Sequence, residues 1–151
     1  MYCEHLSLVN FRNFARLELD LPTGLTVVLG DNAQGKSNLL EALYVIATTR
    51  SFRASSDRDL INWDATNDEL PLARVAAQVR RRQRIVRLEI VIKEERQGID
   101  TANGSAGPST VKKIRLNDVP KKAIDVIGQV NVVMFSPQDI DIVVGPPLLR
   151  R

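Results

Sequence analysis

The sequence has little of the chemistry from which many functional sites are built. Cys3 is its only cysteine and His5 its only histidine. A lone cysteine excludes an intramolecular disulfide and a cysteine-based metal site, and it fits a reducing compartment. His5 stands in a short alternating stretch, where a packed or exposed histidine is a simpler interpretation than a metal ligand.

Long apolar runs are also missing. None approaches the roughly 20 residues that a membrane-spanning helix needs, and residues 1–11 have no basic segment followed by an apolar core. We therefore expect no membrane partner, no signal peptide and a cytoplasmic location. The 151 residues are 44% hydrophobic and 26% charged with a net charge of +3, which suits one globular domain and permits a nucleic-acid partner without requiring one.

Residues 25–46 form the stretch around which the sequence is organised. An apolar, β-branched run at 26–29 predicts a buried strand, and from Ser37 onward apolar residues recur at the spacing of an amphipathic helix. Strand, glycine loop and helix in this order are the context that a phosphate-binding P-loop requires. The loop itself matches the complete pattern G-x-x-x-x-G-K-[ST] with Gly30, Asp31, Asn32, Ala33, Gln34, Gly35, Lys36 and Ser37.

This spacing suits the capture of a nucleotide's phosphates. Gly30 and Gly35 permit backbone conformations that a Cβ would forbid, so the N–H groups of the loop can converge on phosphate oxygens. The helix N-terminus adds further donors. Lys36 would place its ammonium on the β- and γ-phosphates, and Ser37 would bind Mg²⁺. The alternative is a chance match in a glycine-containing turn, which the matching flanks disfavour.

The rest of the pattern predicts an antiparallel sheet beside this unit. A short helix is predicted at 121–127 and a second buried strand at 130–135, while the glycine- and serine-rich residues 94–110 predict a flexible loop. Two strands before the P-loop strand are unlike a small GTPase or a nucleoside kinase. We therefore predict an α/β fold that combines antiparallel strands with a P-loop unit. Alternating strands are expected at 2–10, 15–21, 72–80 and 84–93, with a further strand of the same sheet at 111–116.

Basic residues crowd the hairpin predicted from the third and fourth of these strands. Phosphate neutralisation by such a cluster gives salt-dependent, sequence-independent DNA affinity. A solvated hairpin face, partly balanced by neighbouring glutamates, is the alternative. No aromatic residue lies among the arginines, so stacking on single-stranded bases is not indicated. The cluster comprises Arg80, Arg81, Arg82, Arg84 and Arg87.

Four segments together resemble the N-terminal part of the RecF family, which contains DNA replication and repair ATPases of the SMC-like ABC class. A P-loop alone would be weak evidence for a family, but these segments follow one another in matching order along essentially the whole chain. They are LSLVNFRNF at 6–14, GDNAQGKSNLLEALY at 30–44, TTRSFR at 48–53 and VVMFSPQDIDIVVGPPLLRR at 132–151.

The resemblance implies the first lobe of an ABC-type head, with an α/β fold in which an antiparallel β-subdomain packs on the P-loop nucleotide-binding core. Such a head binds ATP with Mg²⁺ and dimerises with ATP in the interface. It implies binding to single-stranded and double-stranded DNA and to gap junctions. Family members act in DNA replication, recombinational repair and the SOS response, where they help load recombinase at single-strand gaps together with other recombination mediator proteins. The resemblance also makes Arg12, in the FRNF turn, a candidate phosphate contact, with a plain surface arginine as the alternative.

The sequence departs from the family's pattern in one large respect. It contains neither a Walker B aspartate with its catalytic glutamate nor an LSxGQ-type signature loop. Residues 1–151 are therefore expected to be a truncated head, with the second lobe absent, that binds ATP without turnover, although full-length family members are weak DNA-dependent ATPases. Aligned with the family, Ser136 stands where the Q-loop glutamine would, as a candidate contact to Mg²⁺ or the attacking water, and the nearby Gln138 and Asp139 are the alternatives. Another P-loop NTPase or kinase, or a non-catalytic interaction module, is the alternative.

Overall fold

A computed structural model describes residues 1–67, 71–95 and 109–135 of the chain. Within these ranges, six strands form one antiparallel sheet in the order β2-β1-β3-β4-β5-β6. Their bounds are β1 Tyr2–Phe11, β2 Phe14–Asp20, β3 Leu72–Arg81, β4 Arg84–Glu95, β5 Ser109–Leu116 and β6 Val119–Lys121. The helices are α1 Lys36–Thr48 and α2 Ala123–Val126, with 3₁₀ turns at Asp57–Leu60 and Asp64–Asn67.

The hydrophobic core lies between α1 and one face of the sheet. Period-two alternation sends the apolar residues of β3 and β4 to the same face, and the register places Val75 opposite Ile90 and Ala77 opposite Leu88. Cross-strand pairs of this kind are the main stabilising contacts of a sheet. The helix covers them with Leu39, Ala42, Val45 and Ile46, all buried.

Both ends of α1 are attached to the sheet. Its N-terminal turn contacts the β1–β2 turn through Gly35. Its C-terminal end is the left-handed residue Thr49, whose N–H donates to the carbonyl of Val45 at 2.8 Å. The carbonyl of Thr49 accepts a 2.7 Å hydrogen bond from Lys112 Nζ of β5, and the same ammonium pairs with Asp57 at 2.7 Å. A lysine at this end also complements the helix dipole.

Most of the predicted elements are confirmed. The five predicted strands of the antiparallel sheet correspond to β1 to β5, the hairpin joins β3 to β4, and the P-loop helix begins at Lys36. The short helix predicted at 121–127 is α2, which is followed by the left-handed Gly128. Most bounds differ by one or two residues. Those of β4, which continues through Glu95, and β5, which begins at Ser109, extend into the range predicted as a loop.

The two predicted buried strands, at 26–29 and 130–135, are wrong for this structure. Neither segment forms a strand, and the side chains are exposed by 66% at Val27, 86% at Leu29 and 100% at Val133. An apolar run becomes a buried strand only between neighbouring strands and beneath a covering layer. The described residues provide neither at these two places.

Some predictions fall on parts of the chain that are not described. Residues 96–108, the middle of the predicted loop, and residues 136–151, which include Ser136, lie outside the described ranges. Among the helices of the described ranges, none is long and apolar enough to cross a membrane.

Candidate nucleotide site

The P-loop joins the exposed residues 25–29 to α1. Gly30, Ala33 and Gly35 have φ values of +150°, +65° and +98°, in a region that glycine enters at least cost. A Cβ on Gly35 would lie 2.6 Å from the side chain of Asn13 and 2.9 Å from that of Phe14. Glycine is thus required at position 35 both by the backbone conformation and by the close approach of the β1–β2 turn.

The ammonium of Lys36 lies at the centre of this loop. Its Nζ donates to the carbonyl oxygens of Gly30 and Asp31, at 2.6 Å in each case. These acceptors are neutral, so phosphate oxygens in their place would give stronger, charge-assisted bonds. Ser37 and the loop residues 31–34 are exposed, and no side chain in the described ranges caps α1 at Gly35. The first-turn N–H groups of α1 are therefore available to an anion.

A buried carboxylate fastens the β1–β2 turn to α1. Glu41 is fully buried and accepts hydrogen bonds from Nε and Nη2 of Arg12 at 2.9 and 2.7 Å. It also accepts from Nε and Nη2 of Arg53 at 3.0 and 2.9 Å and from Ser51 Oγ at 2.5 Å. Burial alone would raise the pKa of Glu41, but these hydrogen bonds outweigh it and hold the pKa below its ordinary value. Glu41 is therefore ionised.

The sequence analysis missed Glu41 and Arg53. A glutamate beside the apolar positions of an amphipathic helix resembles an ordinary surface residue until its partners are known. The signal that could have found them is the presence of one arginine in each of the FRNF and TTRSFR segments, since a buried glutamate needs a positive partner.

Two asparagines complete the junction around the first turn of α1. Asn38 donates from Nδ2 to Asn13 Oδ1 at 2.6 Å and accepts a hydrogen bond from Arg53 Nη2. Beside them lies an open depression whose lining includes Arg12, Asn13, Asn38, Arg53, Asn62 and Trp63. Arg12, with a side chain only 19% exposed, thus lies at the edge of a polar depression next to the P-loop helix.

The five hairpin arginines do not form one surface. Arg80 and Arg87 lie on the sheet face opposite the core, and Arg80 forms a bidentate ion pair with Glu4 at 2.8 and 3.0 Å. Arg81 lies opposite Arg84 in the β3–β4 register at the end of the hairpin. Arg82 lies in the turn between them and has a left-handed backbone conformation. These three arginines line a second depression together with Gln83, Asn117 and Gln129.

The contacts of His5 and the burial of Cys3 indicate structural roles for both side chains. His5 Nδ1 lies 2.6 Å from Asp20 Oδ1, and Nε2 lies 3.0 Å from Glu18 Oε2. Burial raises the pKa of Cys3 to about 11, so its thiol stays protonated near neutral pH. No group of three or more histidine, cysteine, aspartate or glutamate side chains that could hold a metal occurs in the described ranges.

A P-loop at the start of a helix, packed on an antiparallel sheet, places the molecule in the class of P-loop ATPase heads of the ABC type. The chain belongs to the RecF/RecN/SMC N terminal domain family, which it matches over residues 2–137. The α/β P-loop fold class and the resemblance to RecF are confirmed.

The relatives agree with this assignment. The DNA replication and repair protein RecF of Chloroflexus aurantiacus is 46% identical over 153 residues, covering 100% of this chain and 38% of the relative. A solved structure of the recombination mediator protein RecF-ATPrS in the RecFOR pathway matches with a TM-score of 0.72 and 30% identity, covering 93% of this chain and 33% of that one.

A structure from work on ATP-driven dimerization and DNA stimulated activation of SMC ATPases matches with a TM-score of 0.69 and covers 99% of this chain and 95% of that one. At 19% identity it shows the fold alone. The chain spans little more than a third of the length of the curated relatives that it matches, 38% for the relative from Chloroflexus aurantiacus.

Proposed function

We propose that this chain is the ATP-binding first lobe of a RecF-like protein that acts in DNA replication and recombinational repair. The position of the Lys36 ammonium at the centre of a complete P-loop carries the proposal. Similarity to RecF over the whole chain supports it. The roles in DNA replication and repair that the relatives' names give are a hypothesis for the whole protein, and residues 1–151 are proposed to be its first lobe.

The P-loop provides the phosphate site in this proposal. The N–H groups of residues 31–35 and of the first turn of α1 donate to phosphate oxygens. Lys36 exchanges its two carbonyl acceptors for oxygens of the β- and γ-phosphates, and the hydroxyl of Ser37 binds Mg²⁺. Arg12 is a further phosphate contact, and Ser136 is a candidate second contact to the metal or to the attacking water.

These residues support binding more than turnover. Contacts that exist equally in the ground state and the transition state tighten binding without accelerating the reaction. Acceleration requires a group that positions the attacking water and donors that meet the developing charge. Because the sequence has neither a Walker B pair nor a signature loop, we infer that residues 1–151 bind ATP without hydrolysing it.

The nucleotide site is tested by calorimetric titration of Mg²⁺–ATP into the wild-type chain and a Lys36→Ala variant. We expect the variant to bind at least tenfold more weakly, because a charge-assisted contact is lost. Lys113→Ala, which removes an exposed lysine of β5, is the matched control and should bind normally. Equal affinity in wild type and Lys36→Ala would contradict the assignment.

DNA contact is proposed for the hairpin end, at Arg81, Arg82 and Arg84. These three share one depression, whereas Arg80 is already paired with Glu4 and Arg87 lies on the other face. Phosphate contacts of this kind give affinity for single-stranded DNA, double-stranded DNA and gap junctions that decreases with salt.

The DNA surface is tested by measuring affinity at several salt concentrations. Arg81→Glu with Arg84→Glu should weaken binding to all sequences alike and flatten the dependence on salt. Arg80→Gln with Arg87→Gln is the control for the opposite face. If the control pair reduces the affinity more than the Arg81 and Arg84 pair, the contact lies on the wrong face for this proposal.

Further parts of the proposal rest on similarity to the family alone. They are an ATP-dependent homodimer with ATP in its interface, association with other recombination mediator proteins to load recombinase at single-strand gaps, a role in the SOS response, and a cytoplasmic location.

A further inference from the structure

The only tryptophan of the sequence lies on a turn that is attached to the sheet. Trp63 closely follows Ile61, which is fully buried and pairs with Phe11 of β1 in an antiparallel bridge. The N–H of Asn62 donates to the carbonyl of Asn10 at 2.8 Å. The backbone that leads into Trp63 is therefore held against β1.

The residue itself lies outside the core. Trp63 is 82% exposed, whereas Ala65 is buried. The side-chain oxygen of Asn62 accepts the N–H of Asp64 at 2.8 Å, which also holds the backbone on the other side of Trp63. Tryptophan is highly buried on average in folded proteins. A large aromatic side chain on an attached turn is well suited to binding, because it loses little conformational entropy when a ligand packs on it.

Trp63 lines the depression beside the P-loop helix. This depression has a volume of about 620 Å³, within the range of sites that bind small ligands. Asn38, from the first turn of α1, lines the same depression and directly follows Ser37, which is proposed to bind Mg²⁺. The depression therefore connects the first turn of the P-loop helix with the tryptophan.

The residues around Trp63 suit the uncharged part of a nucleotide. Asp64 also lines the depression, and its carboxylate would repel a phosphate chain. A carboxylate can instead accept hydrogen bonds from the amino or hydroxyl groups of a nucleoside. An indole offers a stacking surface to a nucleobase. With the phosphates at Lys36, the base of the same nucleotide would extend toward Trp63.

We propose that Trp63 forms one wall of a nucleobase site, on which the base of the bound nucleotide stacks. The proposal rests on the proposed function, because it requires the phosphates to lie in the P-loop. Trp63 is a binding residue for the base and contributes nothing to the contacts of the phosphate chain. Because stacking depends on the area of the aromatic face, purine nucleotides bind more tightly than pyrimidine nucleotides.

The experiment compares Mg²⁺–ATP with Mg²⁺–tripolyphosphate, which has a phosphate chain but no base, by calorimetric titration. Trp63→Ala should weaken ATP binding about tenfold to a hundredfold and leave the affinity for tripolyphosphate unchanged. Trp63→Phe, which keeps an aromatic face, should retain most of the ATP affinity. Ile124→Ala is the matched control, because it removes a side chain of α2 that is 74% exposed, and it should bind both ligands as the wild type does.

A second measurement uses the fluorescence of Trp63. Because the sequence has no other tryptophan, the indole emission reports this residue alone. ATP should change the emission along the same saturation curve as the calorimetric titration, and tripolyphosphate should leave it unchanged. Free tryptophan at the same ATP concentrations corrects for absorption by the nucleotide.

Three results would overturn the inference. Wild-type ATP affinity in Trp63→Ala would show that the base does not use the indole. An equal loss of affinity for ATP and tripolyphosphate in that variant would assign the effect to the phosphate site or to the fold. Saturation with ATP without a change in emission would exclude stacking, and this result decides if tripolyphosphate binds too weakly to titrate.

The outcome also separates this inference from the proposed function. If the wild type binds ATP and Lys36→Ala does not, while Trp63→Ala binds normally, only the nucleobase site is wrong. If neither the wild type nor Lys36→Ala binds ATP, both proposals fail.

Discussion

Two groups of apolar residues in this chain have opposite surroundings. In β3 and β4 the inward side chains are buried, with Leu88 at 1% and Ile90 at 0% exposure. In residues 25–29 the side chains are as apolar, yet Leu25 is 89% and Leu29 86% exposed. The difference shows that burial depends on whether a neighbouring strand and a covering layer are at hand, and not on local hydrophobicity alone.

The two patterns make different demands. An alternating strand needs a cover on one face only, and α1 supplies it for β1, β3 and β4. A continuous apolar run such as 26–29 needs cover on both faces as well as hydrogen-bonding neighbours. The described residues satisfy the first demand and leave the second unmet.

The largest expected effect is a difference in the free energy of unfolding between a Leu→Ala substitution in the core and one in residues 25–29. Leu88→Ala should lower the free energy of unfolding by about 2–5 kcal/mol, because it leaves a cavity in the core. Leu29→Ala should change it by less than about 0.5 kcal/mol, since that side chain is already in water. Urea unfolding of both variants measures the contrast. A comparable loss in Leu29→Ala would mean that the segment is buried after all.

A smaller effect concerns association rather than stability. Val133 is 100% exposed beside Phe135 at 72%, and contiguous apolar surface promotes self-association. Val133→Asp should shift the chain toward monomer in sedimentation velocity while leaving its melting temperature nearly unchanged. The control is Lys113→Asp, which adds a carboxylate to β5. Equal suppression of association by both variants would point to charge alone as the cause.

The smallest expected effect is a pH dependence of the free energy of unfolding that arises from His5. The hydrogen bond to Asp20 raises the pKa of His5 above its ordinary 6.5. The hydrogen bond to Glu18 acts in the same direction, and burial opposes both. The stabilising contribution is therefore complete below pH 6.5 and is lost as the pH rises through the pKa of the folded state. Unfolding measured across this range should show a small decline that His5→Gln abolishes. A decline that persists in His5→Gln must come from other groups.

The sheet could be predicted from the sequence because alternation encodes it locally. The period of two is clearest in β3 and β4, and the turn of their hairpin lies where the alternation breaks, at Arg82 and Gln83. The buried strands predicted at 26–29 and 130–135 were wrong for a related reason. Whether an apolar run is buried depends on partner strands that a local pattern does not specify.

The site was predictable only in part for a similar reason. The P-loop is a contiguous motif, so Lys36 and Ser37 are identified directly by their spacing. The ion pairs of Glu41 join residues 29 positions apart for Arg12 and 12 for Arg53, and only the fold brings them together. The hairpin arginines, in contrast, were grouped by sequence proximity and then divided between two faces by the pleat.

The attachment of α1 at both ends has a mechanical consequence. A helix held by the β1–β2 turn at one end and by Lys112 of β5 at the other cannot pivot by itself about either end. A displacement of the downstream end of the loop is therefore transmitted along the helix to the β1–β2 turn and to β5. Residues 22–29 have neither of these two attachments, so we expect the upstream side of the loop to move more easily than its downstream side, which can move only with the sheet.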